Sequence, residues 1–100
     1  MTPEGKVKKE VKKHLAFAKA YHFWPVQTGY GRSTLDCVAC VPTHKTCPQC
    51  GHGEVFGQFV AIETKAPGKK LTARQRMTVV EMKKASAVVY VVEGLLWTPQ

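Results

Sequence analysis

Two groups of residues in this chain have types and spacings that could do chemistry. In "GQFVAIETK", Glu63 and Lys65 are one residue apart, so on an extended strand they point the same way, about 7 Å from each other. Asp36 supplies a second carboxylate, with 26 residues between it and Glu63. Two carboxylates meeting at a sheet edge can hold Mg2+ or Mn2+ together with phosphate oxygens and water. A neighbouring lysine can then orient or deprotonate that water and offset developing negative charge. Phosphodiester cleavage is the natural reaction for such a set. The second group lies in "DCVACVPTHKTCPQCGH", which holds all four cysteines as Cys37-x2-Cys40 and Cys47-x2-Cys50. Two such pairs can wrap one zinc ion tetrahedrally, and Gly51 can take the positive φ that follows a knuckle turn. Four thiolates leave no open position, so a structural zinc is expected. His44 and His52 are alternative nitrogen ligands.

Composition bounds the frame around these residues. A chain of 100 residues, 44% hydrophobic, makes one domain with a small core, the kind that often needs a staple such as a metal. Fifteen Lys and Arg against seven Asp and Glu give a formal net charge of +8, which favours nucleic acid or an anionic surface as partner. No apolar segment of signal-peptide type follows the first lysines, and the longest apolar run, Ala87 to Val92, is too short to span a bilayer. A cytosolic location is expected, where paired cysteines read as metal ligands rather than disulfides.

The elements that must position these groups can be read from periodicity. Thr2 is an N-cap and Pro3 suits the first turn of a helix running to about Tyr21. Val7, Val11, Leu15 and Ala18 form its apolar stripe, with Lys8, Lys9, Lys12 and Lys19 on the far side and Glu4 in mid-stripe. Phe23 to Gln27, interrupted by Pro25, suits an edge strand, and "TGYGR" a loop. Ser33 to about Ala39 reads as a second strand, with Asp36 and Val38 on one face and Leu35, Cys37 and Ala39 on the other. The cysteine segment is a hairpin-like excursion from it. Gly57 to Lys65 is the clearest strand: Phe59, Ala61, Glu63 and Lys65 share one face, Val60 and Ile62 the other. "APGKK" is a turn. Thr72-x-x-Gln75 opens a second helix with a capping box, on which Gln75, Val79 and Met82 face inward. Ala87 to Val92 closes the domain as a covered strand, giving an α/β order of helix, strands, helix, strand with a mixed sheet.

"TPEGKVK", "GYGRSTLD" and "FVAIETKAPGKKLTARQ" together resemble the PD-(D/E)XK nuclease superfamily, and within it the small VRR-NUC-like nucleases common in phages. The resemblance runs from Thr2 to about Glu93 and implies a restriction-endonuclease-like α-β-β-β-α-β core. By that likeness Asp36, Glu63 and the carbonyl of Thr64 bind the catalytic Mg2+ or Mn2+, Lys65 is the catalytic lysine, and Glu4 and Gln75 complete the site. Arg32, Lys69 and Lys70 flank it as DNA contacts. The implied activity is that of a Mg2+-dependent DNA endonuclease, acting on branched DNA as a homodimer in the manner of Holliday-junction resolvases. A phage-encoded protein in a bacterial host's cytosol is expected. One departure stands out: compact members place only a short hairpin between the aspartate and the E-x-K strand. Residues 37–54 therefore read as a zinc-binding insertion within a single nuclease domain, 1–100. The alternative is a zinc-ribbon nucleic-acid-binding module without catalysis.

Overall fold

The computed structural model describes residues 1–26 and 32–100. Within these residues seven elements follow one another: α1 (Pro3–Phe17), β1 (Tyr21–Phe23), β2 (Cys37–Thr46), β3 (Gly53–Lys65), α2 (Ala73–Lys84), β4 (Val88–Glu93) and β5 (Leu96–Pro99). The strands form one sheet in chain order, β1-β2-β3-β4-β5. Among the described strands only β3 and β4 pair in parallel, because α2 carries the chain back between them; the other pairs are antiparallel. The result is the mixed α/β fold expected. Among the described residues no helix is long and apolar enough to cross a membrane.

The sheet buries a different apolar set on each face. Val7, Val11 and Leu15 of α1 pack on Cys37, Ala39, Val60, Ile62 and Val92. On the other face Val79 of α2 packs with Leu35, Ala61 and Val89, with Val38 and Met82 at the margin. Alternation along β3 sends Val60 and Ile62 to α1 and Ala61 to α2, so this part of the strand is buried from both sides. Leu35 departs from its expected face. It precedes the first residue of β2, so strand alternation does not govern it, and it joins the α2 side rather than Cys37 and Ala39.

Element boundaries shift where tertiary pairing overrides local propensity. The first helix stops at Phe17 rather than near Tyr21: Lys19 has a φ of 57°, and Tyr21–Phe23 leave the helix to pair with Val38–Cys40. Ala18 caps the helix and is exposed instead of extending its stripe. The edge strand ends before Pro25, which cannot donate to a ladder, and Gln27 lies outside the described residues, as does most of the "TGYGR" loop. The second strand begins at Cys37 and continues to Thr46. Residues 37–46 are therefore part of the sheet, and the excursion is the far half of one long hairpin. A fifth strand, Leu96–Pro99, follows a turn at Gly94, whose φ is 60°.

Candidate functional site

The site sits where β3 leaves the core. Glu63, one strand step before the end of that buried stretch, is only 2% exposed. Both of its oxygens are held: the Asp36 amide donates to Oε1 at 3.1 Å, and Gln75 Nε2 donates to Oε2 at 2.7 Å. Lys65 Nζ lies 3.8 Å from Oε2, on the same face by alternation. Asp36 is fixed by Thr64, whose amide and hydroxyl both donate to Asp36 Oδ2, at 3.0 and 2.6 Å. The two carboxylates are thus cross-braced, each by a group belonging to or adjoining the other.

The electrostatics follow from this crowding. Burial pushes the Glu63 carboxyl up to about 7; the Asp36 carboxylate adds to the rise and Glu4 contributes further, while the Asp36 amide and Lys65 pull the other way. Glu4 therefore acts on the site through its charge, from the first turn of α1, where Thr2 caps the helix by accepting from the Gly5 amide. Gln75 has two roles at once. Its Oε1 accepts from the Thr72 amide to close the capping box, and its Nε2 reaches Glu63.

The donor set fits a hard divalent cation. It offers carboxylate oxygens, one of them buried with too little compensating charge. Among the described residues no three ligating side chains gather into a cage. Mg2+ suits such a place, because it keeps several waters and takes one or two carboxylates plus substrate phosphate oxygens. Asp36 and Glu63 would hold it.

The remaining expected residues are more scattered. Lys69 and Lys70 are exposed on the loop between β3 and α2. That loop is tied down by Glu93, whose Oε1 accepts from the Gly68 amide at 2.7 Å. Arg32 does not stand free; its guanidinium pairs with Glu81 of α2 at 3.0 Å. Thr64 as a side-chain brace and Glu93 as a loop anchor were hidden from the sequence. Alternation puts Thr64 on the face opposite Glu63, and it reaches Asp36 only because Asp36 precedes the strand proper. For Glu93 the available signal was a carboxylate ending an apolar strand directly before glycine.

The structure does not bring the four cysteines together. Cys37 is fully buried in the α1-side core, where burial pushes its thiol up to about 11. Cys40 is exposed on the opposite face, where a Cβ at Gly57 would collide with its sulfur. Cys47 and Cys50 lie beyond the end of β2, about 23 Å farther along an extended strand. Alternation separates Cys37 from Cys40, and strand length separates both from Cys47 and Cys50. A four-cysteine ligand set and a zinc ribbon are therefore not formed by this arrangement.

Comparison with known proteins bears on the fold. No protein-family model and no curated protein matches the chain. A solved structure described as a "VRR_NUC domain" superposes with a TM-score of 0.70 at 22% identity, covering 95% of this chain and 88% of the other. The chain thus has the fold of a VRR_NUC domain over nearly its whole length, consistent with a restriction-endonuclease-like α/β architecture.

Proposed function

We propose that this protein is a metal-dependent DNA endonuclease that hydrolyses phosphodiester bonds. The observation that carries the reading is the buried Glu63 carboxylate, braced by the Asp36 amide and Gln75 and lying 3.8 Å from Lys65. A carboxyl group held this firmly in a place that disfavours its charge is explained by a working state in which a cation sits beside it. The chemistry that a bound Mg2+ or Mn2+ supplies is Lewis-acid stabilisation of the phosphoryl oxygens. Asp36 and Glu63 would be its ligands, with the Thr64 carbonyl as a third oxygen. Thr64 and Gln75 keep the two carboxylates from rotating away. Lys65 orients the attacking water and offsets negative charge as the phosphorus becomes five-coordinate. Lys69 and Lys70 hold the DNA backbone beside the site, and the net charge of +8 draws the polyanion in.

DNA branched in the manner of a Holliday junction is the substrate we favour, cut by a homodimer. One chain offers one such site, whereas a branched substrate presents two strands, and a two-fold pair matches them. β4 lies inside the sheet and cannot supply the contact, but Leu95 and Leu96, 80% and 65% exposed, stand at the β4–β5 turn. Light scattering that finds a monomer both free and on DNA removes the dimer. The central test is cleavage of plasmid and four-way-junction DNA with Mg2+ and with EDTA, wild type beside Glu63→Ala. Metal-dependent cutting by the wild type alone is expected. A wild-type protein inert with both Mg2+ and Mn2+, or a variant cutting at the same rate, overturns the reading.

A further inference from the structure

Beyond Val41 and Gln58 the hairpin of β2 and β3 pairs with no third strand among the described residues. β1 reaches only Val38–Cys40, and β4 pairs only with Val60–Lys65. Thr43–Thr46 and Gly53–Phe56 therefore form a two-stranded ribbon, nearly all of it exposed. Such a ribbon is marginally stable in water without something to hold it. At its tip the Cys47 amide donates to the His52 carbonyl at 2.8 Å and the Gly51 amide to the Cys47 carbonyl at 2.9 Å. Gly51, with a φ of 73°, completes the turn, in which both the backbone and the thiol of Cys50 are hydrogen-bonded to the Cys47 sulfur and lower its pKa. This is half of a tetrahedral thiolate site.

The same tip supplies candidates for the other half. Cys47 faces His52 across the hairpin, and two rows before it Lys45 pairs with Glu54, so by strand alternation Cys47, His52 and Glu54 share a face. His44 pairs with Val55 and belongs to the opposite face. His52 Nε2 and Glu54 Oε1 are 3.5 Å apart. Two ligands on a tetrahedral zinc, with bonds of about 2.0 to 2.2 Å, stand about 3.4 Å from one another. Among the described residues no three ligands are already gathered, so binding requires this pair to swing over the knuckle. Both side chains are 68% exposed and free to do so.

We propose that the hairpin tip is a structural zinc site built from Cys47, Cys50, His52 and Glu54, clamping the free end of the β2–β3 ribbon. Both thiols lose their protons to solvent as they ligate, and the closed set leaves no position for water. Cys37 and Cys40 take no part. The site is independent of the nuclease reading, since it shares no residue with Asp36, Glu63 or Lys65.

The test is titration of reduced, metal-free protein with Zn2+ and Co2+ in the absence of DNA. Elemental analysis after gel filtration gives the zinc content, and visible absorption of the Co2+ form reports its ligands. One zinc per chain is expected for the wild type, Cys40→Ser and His44→Ala, with Co2+ spectra of a two-thiolate tetrahedral centre. Cys47→Ser and Cys50→Ser should lose it. His52→Ala and Glu54→Ala should weaken binding by at least the roughly 10-fold that loss of an outer-shell partner alone costs. Should a cysteine variant fail to fold, the His52 and Glu54 variants decide. No retained zinc in the wild type overturns the proposal. So does a Cys40→Ser protein as defective as Cys47→Ser, or half a zinc per chain insensitive to His52 and Glu54, the latter indicating a bridge between two copies.

Discussion

The two halves of β3 are made from the same strand and meet opposite fates. From Val60 to Thr64 every residue is buried, with β4 along the whole stretch, β2 alongside as far as Ile62, and helix residues packed on both faces of the sheet there. From Gly53 to Phe56 every residue is exposed, with a single partner strand. In the first half the backbone is held so firmly that a carboxyl can be kept where its charge is disfavoured. In the second, nothing among the described residues holds the ribbon except its own ladder and whatever closes its tip. A small domain has apolar residues enough to over-determine one end of its sheet, and it uses that end for the carboxylate site.

The largest effect expected from breaking this arrangement is at the buried end. Asp36→Ala, Glu63→Ala or Lys65→Ala should abolish cleavage while DNA binding, measured by gel shift, stays near that of the wild type, because the phosphate grip comes from other basic residues. Loss of binding equal to loss of cleavage would place these residues in DNA affinity rather than chemistry.

Next in size is the cost of keeping Glu63 ionised in metal-free protein. Its folded pKa, about 7, lies above the ordinary 4.5, so between those values the folded state binds more protons than the unfolded one. Stability contributed by this group is then fully present below about 4.5 and lost as pH rises through about 7. Glu63→Gln has no charge to bury. In EDTA it should match the wild type near pH 4 and exceed it at pH 8 by on the order of 3 kcal/mol in denaturant unfolding. Equal stability at both pH values would mean that Glu63 is not strained by its surroundings.

Gln75 allows a finer cut, because its cap and its contact with Glu63 can be separated. Thr72→Ala should cost about 1 kcal/mol of stability through the lost cap. It should leave the cleavage rate nearly unchanged. Gln75→Ala should cost a similar amount and also slow cleavage, though less than Glu63→Ala does. Equal rates for the two variants would reduce Gln75 to a capping residue. The smallest effect distinguishes the halves directly: in metal-free protein, amide hydrogen exchange should be fast from Thr43 to Thr46 and Gly53 to Phe56 and slow from Val60 to Thr64.

What could be read from the sequence alone depended on near neighbours. Helical phase placed Val7, Val11 and Leu15 on one stripe, and strand alternation placed Glu63 with Lys65 and apart from Val60 and Ile62; the fold keeps all of these. The capping box at Thr72 and Gln75 was equally local. Decisions requiring non-local register were not available there. Whether Tyr21 extends a helix or starts a strand depends on Cys40, which pairs with it from 19 residues away. The fate of the cysteines was decided the same way. Spacing in sequence suggested four equivalent ligands, but pairing of Cys37 with Ile62 and Cys40 with Phe59 fixed the first two along a continuous strand, one inside and one out. Only tertiary structure could separate them from Cys47 and Cys50, because strand length and facing are set by the partner strand and not by the interval between residues.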